Sequence, residues 1–221
     1  EAAGLQEVLA PCSACYNRLL SAQKELAEHP ELREEILAAV ELPYAGTVKV
    51  LNVLEVLARH EALFKDKIQA PFGHAVACYY GCLLVRPPRV VDFDRPENPQ
   101  SMDRLMALAG AKPVAWNFKT ECCGAAFSVT RTDIVARLGG KVVQDAVRHG
   151  AEAIVVACGM CQSNLDMRRA EINDYLGKAQ DIPVLFLTQV LGLAMGIDAK
   201  RLGLQRLMVP SKLKPEATAN A

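Results

Sequence analysis

EAIVVACGMCQSNLD, residues 152–166, decides how the chain is read. Its first seven residues are continuously apolar after the leading Glu152, as a strand covered on both faces should be, and the CGMC segment at 158–161 then opens a helix. A stretch near the beginning repeats the design: APCSACYNRLL, 10–20, parallels VACGMCQSNLD, 156–166. Each leads through a helix to a strand-helix pair, VLNVLEVL at 50–57 and VLFLTQVL at 184–191. The first copy has the longer connection, 35 positions from Cys15 to Val50 against 23 from Cys161 to Val184. The chain is expected to hold one complete repeat and the tail of an earlier one, whose own leading cysteine and cysteine pair would lie before residue 1.

Between the copies, strand and helix patterns alternate, which implies α/β layers with mostly parallel pairing. Residues 12–40 read as two helices with a kink at His29 and Pro30, followed by a strand at 48–51 and a helix at 52–63. GHAVACYY, 73–80, reads as a buried strand feeding a loop from Gly81 to Pro99 that is rich in Pro, Arg and Asp. Ser101 is expected to cap a helix ended by Gly110, and a strand follows around Pro113 to Trp116. Thr132 is expected to cap a helix from Asp133 to His149. Glu1, with no Met before it, reads as lying in the end of a helix.

The 221 residues suffice for one sizeable core or two compact lobes. Twenty-five basic and 25 acidic side chains balance, so no long-range field recruits nucleic acid or an anionic membrane surface. The longest apolar run, Ile182 to Ile197, is shorter than the roughly 20 residues a spanning helix needs and contains Thr188 and Gln189. No signal peptide is visible, and a soluble, cytoplasmic protein is expected.

Eight cysteines without secretory features favour metal ligation or redox chemistry over a disulfide framework. They fall as Cys12 and Cys15, Cys78 and Cys82, Cys122 and Cys123, Cys158 and Cys161. The adjacent pair in KTECCGAAFS, 119–128, is unsuited to bonding with itself, because neighbouring Cα atoms sit about 3.8 Å apart and a relaxed disulfide prefers roughly 4.4–6.8 Å. Cys82, Cys122, Cys123, Cys158 and Cys161 would converge if each sits at the carboxyl end of a strand, where open α/β sheets build their sites. Zinc or a cubane [4Fe-4S] cluster takes four ligands and leaves one over, so five thiolates suggest a more open iron-sulfur assembly. Gly124 and Gly159 would let backbone amides approach sulfur, and the helix at Cys161 would aim its positive end there.

Cys82, 39 residues, CCG at 122–124, 33 residues, then CGMC at 158–161 resembles the CCG domain of the heterodisulfide reductase B-subunit family. ACYYGCLLVRPP, KTECCGA and VVACGMCQSNLD are each similar to segments of that family, and the likeness runs from Cys12 to about Val209. The resemblance implies two pseudo-repeated α/β lobes with short, mostly parallel sheets. Residues 1–70 would close an incomplete first lobe, 71–209 form the second, and 210–221 a flexible tail. It implies a noncubane [4Fe-4S] cluster held by Cys82, Cys122, Cys123, Cys158 and Cys161, with Cys82, Cys122 and Cys123 at the reaction site. Cys12 and Cys15 match the closing CxxC of a first-lobe motif, which would ligate a second such cluster.

The implied activity is reductive cleavage of a small-molecule or protein disulfide in one-electron steps. The iron-sulfur C subunit and the flavin-containing A subunit of the same complex are the implied electron donors. The alternatives are a non-catalytic electron-transfer subunit and a zinc-stabilised structural module. Leu83 stands where family members acting on the methanogen heterodisulfide often carry a histidine, which leaves the substrate and the proton donor unassigned. Cys78 reads as a packed core thiol and His74 as a hydrogen-bonded core histidine. Arg86, Arg89 and Lys119 could clamp an acidic group or simply be solvated.

Overall fold

The computed structural model describes residues 1–216. The chain begins with β1 (Glu7–Ala10), α1 (Ser13–Glu28), α2 (Pro30–Val40), β2 (Lys49–Asn52), α3 (Val53–Arg59) and α4 (Glu61–Lys65). It continues through β3 (Ala75–Tyr79), α5 (Ser101–Leu108), β4 (Lys112–Pro113), α6 (Phe127–Thr130), α7 (Thr132–Arg148) and β5 (Ala153–Val156). Then come α8 (Gly159–Gln162), a π-helical turn (Ser163–Met167), α9 (Arg169–Leu176), β6 (Val184–Phe186) and α10 (Leu187–Ala194).

Two sheets result, a pair β1-β2 and a four-stranded sheet in the order β4-β3-β5-β6, and every pairing is parallel. The fold is α/β, as expected. Strand, CxxC, helix, strand, helix recurs in β1–α3 and again in β5–α10, so the repeat read in the sequence is a repeat of structure.

Alternation along the strands divides the core by face. Val76, Cys78, Tyr80, Ala153 and Val155 point into a cluster with Met102 and Leu105 of α5 and Val190 and Leu191 of α10. That cluster runs on into Val50 and Leu54 of the smaller sheet and its helix. Ala77, Tyr79, Ile154 and Val156 face the other way, onto Val142, Val143 and Ala146 of α7 and Ile172 of α9. Cys123, Cys158 and Cys161 belong to this second cluster, and Cys78 to the first.

Several local expectations are corrected. The opening residues are not a helix end: β1 follows a turn, and its register with β2 pairs Glu7 with Lys49 and Ala10 with Asn52. The helix expected over 52–63 is broken at His60, whose backbone N–H turns back to Leu57 O, and Asn52 is its cap, accepting from Glu55 N at 2.8 Å. Ser101 is the first residue of α5 rather than its cap. Asp94 performs that task from seven residues upstream, accepting from Gln100 N, Ser101 N and Ser101 Oγ at 3.0, 2.8 and 2.6 Å. Thr132 likewise lies inside α7, whose first turn is entered from Arg131. Within the 210–221 segment, expected as a tail, Glu216 N donates to Pro71 O at 2.9 Å and Leu213 packs on the core. The rest of that segment, 217–221, lies outside the described residues.

Candidate metal centre

Three connections deliver cysteines to one end of the four-stranded sheet. β3 ends at Tyr79, and the chain turns through Gly81 to reach Cys82. Tyr80 N and Gly81 N both donate to Lys119 O, which ties this turn to the segment that carries the adjacent cysteines. A Cβ on Gly81 would lie 3.0 Å from Cys161 Sγ, so glycine is what allows the turn to pass so near that sulfur. The loop after β4 presents Cys122 and Cys123. Cys158 follows β5 with extended backbone and starts α8, which carries Cys161.

The five thiols are free and gathered. Cys123 Sγ lies 3.6 Å from Cys161 Sγ, Cys161 also touches Cys158, and Cys82 is hydrogen-bonded to Cys122. Cys123 and Cys158 are each 3% exposed, whereas Cys82 and Cys122 are half-buried. Cys82, Cys123, Cys158 and Cys161 line a space of about 20 Å³, walled also by Leu83, Ala125, Met160 and, from the first copy of the repeat, Ser13 and Ala14, and Cys122 joins the group through Cys82.

Hydrogen bonding and burial split the thiols into donors and acceptors. Cys161 is raised well above the usual thiol range by donating to Cys123 and Cys158 and by burial, and Cys82 is raised by donating to Cys122. Cys158, accepting from the Cys161 thiol and then from its backbone against the opposing effect of burial, is drawn down to about 4. Cys122, accepting from Cys82 and from Gly124 N, is drawn down to about 6. Sulfurs that are readily anionic and share an apolar wall are suited to soft, thiolate-preferring metals. Among the described residues no three His, Cys, Asp or Glu side chains are grouped to hold a single ion. Instead the sulfurs meet pairwise, and donor type and number fit a polynuclear iron-sulfur group.

The CCG loop is backed closely by α7. Gly124 has φ +98°, its N–H lies 3.3 Å from Cys122 Sγ, and a Cβ there would fall 3.0 Å from Val135 Cα. Gly159 has no such need, because a Cβ there meets nothing within 4 Å. This corrects the equal roles expected for the two glycines.

The remaining singled-out residues lie elsewhere. Cys12 is half-buried and leans on the same cluster as Cys123, Cys158 and Cys161, close enough to Cys158 for their charges to interact, while Cys15 is exposed. Cys78 is fully buried on the opposite face of β3. His74 is at the other end of that strand, 2.9 Å from both Glu152 Oε1 and Lys214 O. Lys119 is buried and donates to Asp103 Oδ1 at 2.8 Å and Pro99 O at 3.1 Å, and Arg86 pairs with Glu97 at 2.6 Å.

Sequence reading missed four participants. Ser13 lines the cysteine space with its Oγ buried, where it helps to draw down the Cys158 thiol. Asn17, on the same face of α1, donates to Leu83 O at 3.3 Å and Arg86 O at 2.8 Å, fastening the loop after Cys82. Asn164 donates to Cys123, and Tyr79 sits under the thiols with its hydroxyl on Glu121 O at 2.6 Å. The available signal was position: Ser13 lies between the cysteines of one CxxC, and an asparagine follows each CxxC within three residues.

Residues 76–166 match the family model described as CCG, cysteine-rich domain. The chain is 30% identical over 204 residues to the 8-methylmenaquinol:fumarate reductase membrane anchor subunit of Wolinella succinogenes, covering 91% of this chain and 72% of that protein. It is 30% identical over 208 residues to the B subunit of the ferredoxin:CoB-CoM heterodisulfide reductase of Methanosarcina mazei, covering 91% and 69%. The B subunit of the ferredoxin/F(420)H(2)-dependent enzyme from Methanosarcina acetivorans gives 31% over 210 residues, with the same shares. A solved structure of a hypothetical protein from Helicobacter pylori shares the fold, with a TM-score of 0.63 at 14% identity over 89% of this chain, which spans 36% of that one. No helix among the described residues is long and apolar enough to cross a membrane. The gathered thiols, the matched cysteine-rich domain and the extent of these likenesses lead to one assignment: the chain is a cysteine-rich redox subunit and belongs to the heterodisulfide reductase B-subunit family.

Proposed function

We propose that this chain is the iron-sulfur catalytic subunit of a heterodisulfide reductase-like complex and reductively cleaves a disulfide. The gathering of Cys82, Cys122, Cys123, Cys158 and Cys161 from three loops at one end of the sheet carries the reading. These five would hold one noncubane [4Fe-4S] cluster, and Cys12 and Cys15 would supply part of the ligand set of a second. When bound, such a group supplies one-electron steps, which match a two-electron disulfide cleavage only in succession.

The chain's own residues shape the place where that happens. Leu83, Ala125 and Met160 form an apolar wall that excludes water and strengthens electrostatic interactions within it. Ser13 Oγ lines the same space beside Cys158, whose anionic form it favours. Asn17 holds the Cys82 loop against α1, so the cysteine space is closed by residues of both repeats. The division at about residue 70 into two lobes belongs to this proposal, as do a cytoplasmic setting and electron supply by the iron-sulfur C subunit and flavin-containing A subunit.

One observation favours a second reading. The fumarate reductase protein from Wolinella matches over the same share of the chain as the disulfide-reductase proteins, and the activity in its name involves no disulfide. On that reading the chain passes electrons without meeting a disulfide. The two separate in one experiment: the complex is reduced with a dye, given a disulfide, and assayed for thiol release. Release proportional to dye consumed supports the catalytic reading. Reducible, reoxidisable clusters with no thiol release would leave electron transfer alone.

A further inference from the structure

Asn164 lies in the π-helical turn, 0% exposed, and its Nδ2 faces three acceptors of the CCG loop: Ala125 O at 3.0 Å, Cys123 O at 3.2 Å and Cys123 Sγ at 3.4 Å. The amide orientation follows from those partners, since turning it over would set an oxygen against two carbonyls and a sulfur. Its Oδ1 has no partner in the buried interior, a cost retained alongside the bonds made by Nδ2. The loop so held is itself unfavourable, with Gly124 at φ +98° and Ala125, a residue with a Cβ, at φ +44°. Such conformations persist only where the surroundings over-determine them. The widened turn is what presents the amide: Asn164 stands three residues beyond Cys161 and reaches the cysteine pair, while Asn17, two beyond Cys15 on the regular helix α1, reaches the Cys82 loop instead. Single π turns within helices recur at functional sites.

We infer that Asn164 is a positioning residue for Cys123, fixing the strained CCG loop and setting, through its N–H···S bond, the reduction potential of a cluster held there. The inference rests on the proposal that Cys123 is a cluster ligand. A hydrogen bond to a ligating sulfur withdraws charge from it, favours the reduced state and raises the potential.

The test uses the anaerobically prepared complex, with iron and acid-labile sulfide analysis and an EPR-monitored redox titration. Asn164→Ala should lose several-fold in cluster content. What remains should reduce less readily by about tenfold in the equilibrium constant, or ~59 mV for one electron. Adding Ala125→Gly removes the strain, so content should recover while the potential stays low. Asn164→Asp keeps size but sets an oxygen, charged when ionised, against the same two carbonyls and sulfur, and should lower the potential and lose cluster content as well. A wild-type protein without iron and sulfide would overturn both the ligand reading and this inference. A loaded wild type whose potential is shared by Asn164→Ala and Asn164→Asp, or a potential restored by Ala125→Gly, would overturn the inference alone.

Discussion

Replacing Gly124 by alanine should damage the cysteine loop more than any other single methyl group placed at these turns. The backbone at φ +98° is outside what a residue with a Cβ adopts freely, a cost of about 1–3 kcal/mol. The added Cβ would fall 2.8 Å from Val135 Cγ2, 3.0 Å from Val135 Cα and 3.3 Å from Val135 Cβ. Because one of these is backbone of a buried residue in α7, no side-chain rotation relieves the overlap, and overpacking of this kind adds about 1–3 kcal/mol. The combined loss, ~2–6 kcal/mol, is a large part of the roughly 5–15 kcal/mol that holds a typical domain together. Urea unfolding gives the midpoint shift, and iron content of the complex reports whether the loop still presents Cys122 and Cys123. Gly159→Ala is the control: its Cβ meets nothing within 4 Å, and alanine favours the helix it begins by up to about 1 kcal/mol. A Gly124→Ala protein within about 0.5 kcal/mol of wild type, or a Gly159→Ala protein equally damaged, would refute the packing argument.

Two further outcomes follow from hydrogen bonds already described. Burial pushes the Asp94 carboxyl up, but bonds from Ser101 Oγ and from the backbone of Ser101, Arg95 and Gln100 outweigh it and hold the group below its ordinary value. A lowered folded value means its stabilisation is complete above the unfolded value near ~4 and is lost as pH falls through the lower folded value. Asp94→Asn should therefore be less stable at neutral pH and lose less on acidification, as followed by urea unfolding at a series of pH values; an unchanged acid limb would contradict this. Asn17→Ala frees Leu83 O and Arg86 O and should cost about 1–3 kcal/mol. Faster hydrogen exchange at the Val85 and Arg86 amides, which close the turn onto Cys82 O, is the expected signature, and unaltered exchange there would count against the clamp.

What was legible in the sequence had a local signature. Ala153–Val156 is buried on both faces and reads as a strand from composition alone, and the break at Pro30 follows from a ring that fits the first turn of a helix. The grouping of the five cysteines was expected from spacing, since strands that end together bring their following loops together. β1 was not legible, because its first three residues are exposed and its strand character comes from pairing with β2 some forty positions later. Asp94 was passed over in favour of Ser101 for a similar reason: the cap arrives from a loop rather than from the neighbouring residue. Asn164 depended on one extra residue in a widened turn, which periodicity of 3.6 does not reveal. The role of Ser13 required knowing that the first repeat's helix packs against the second repeat's cysteines.

The central claim is that five thiolates share one open iron-sulfur cluster, and anomalous diffraction at the iron edge on the anaerobically prepared protein tests it most directly. The account predicts iron density between Cys82, Cys122, Cys123, Cys158 and Cys161, with both adjacent cysteines bound to it. A four-coordinated cubane with Cys123 free, or zinc without sulfide, would contradict it.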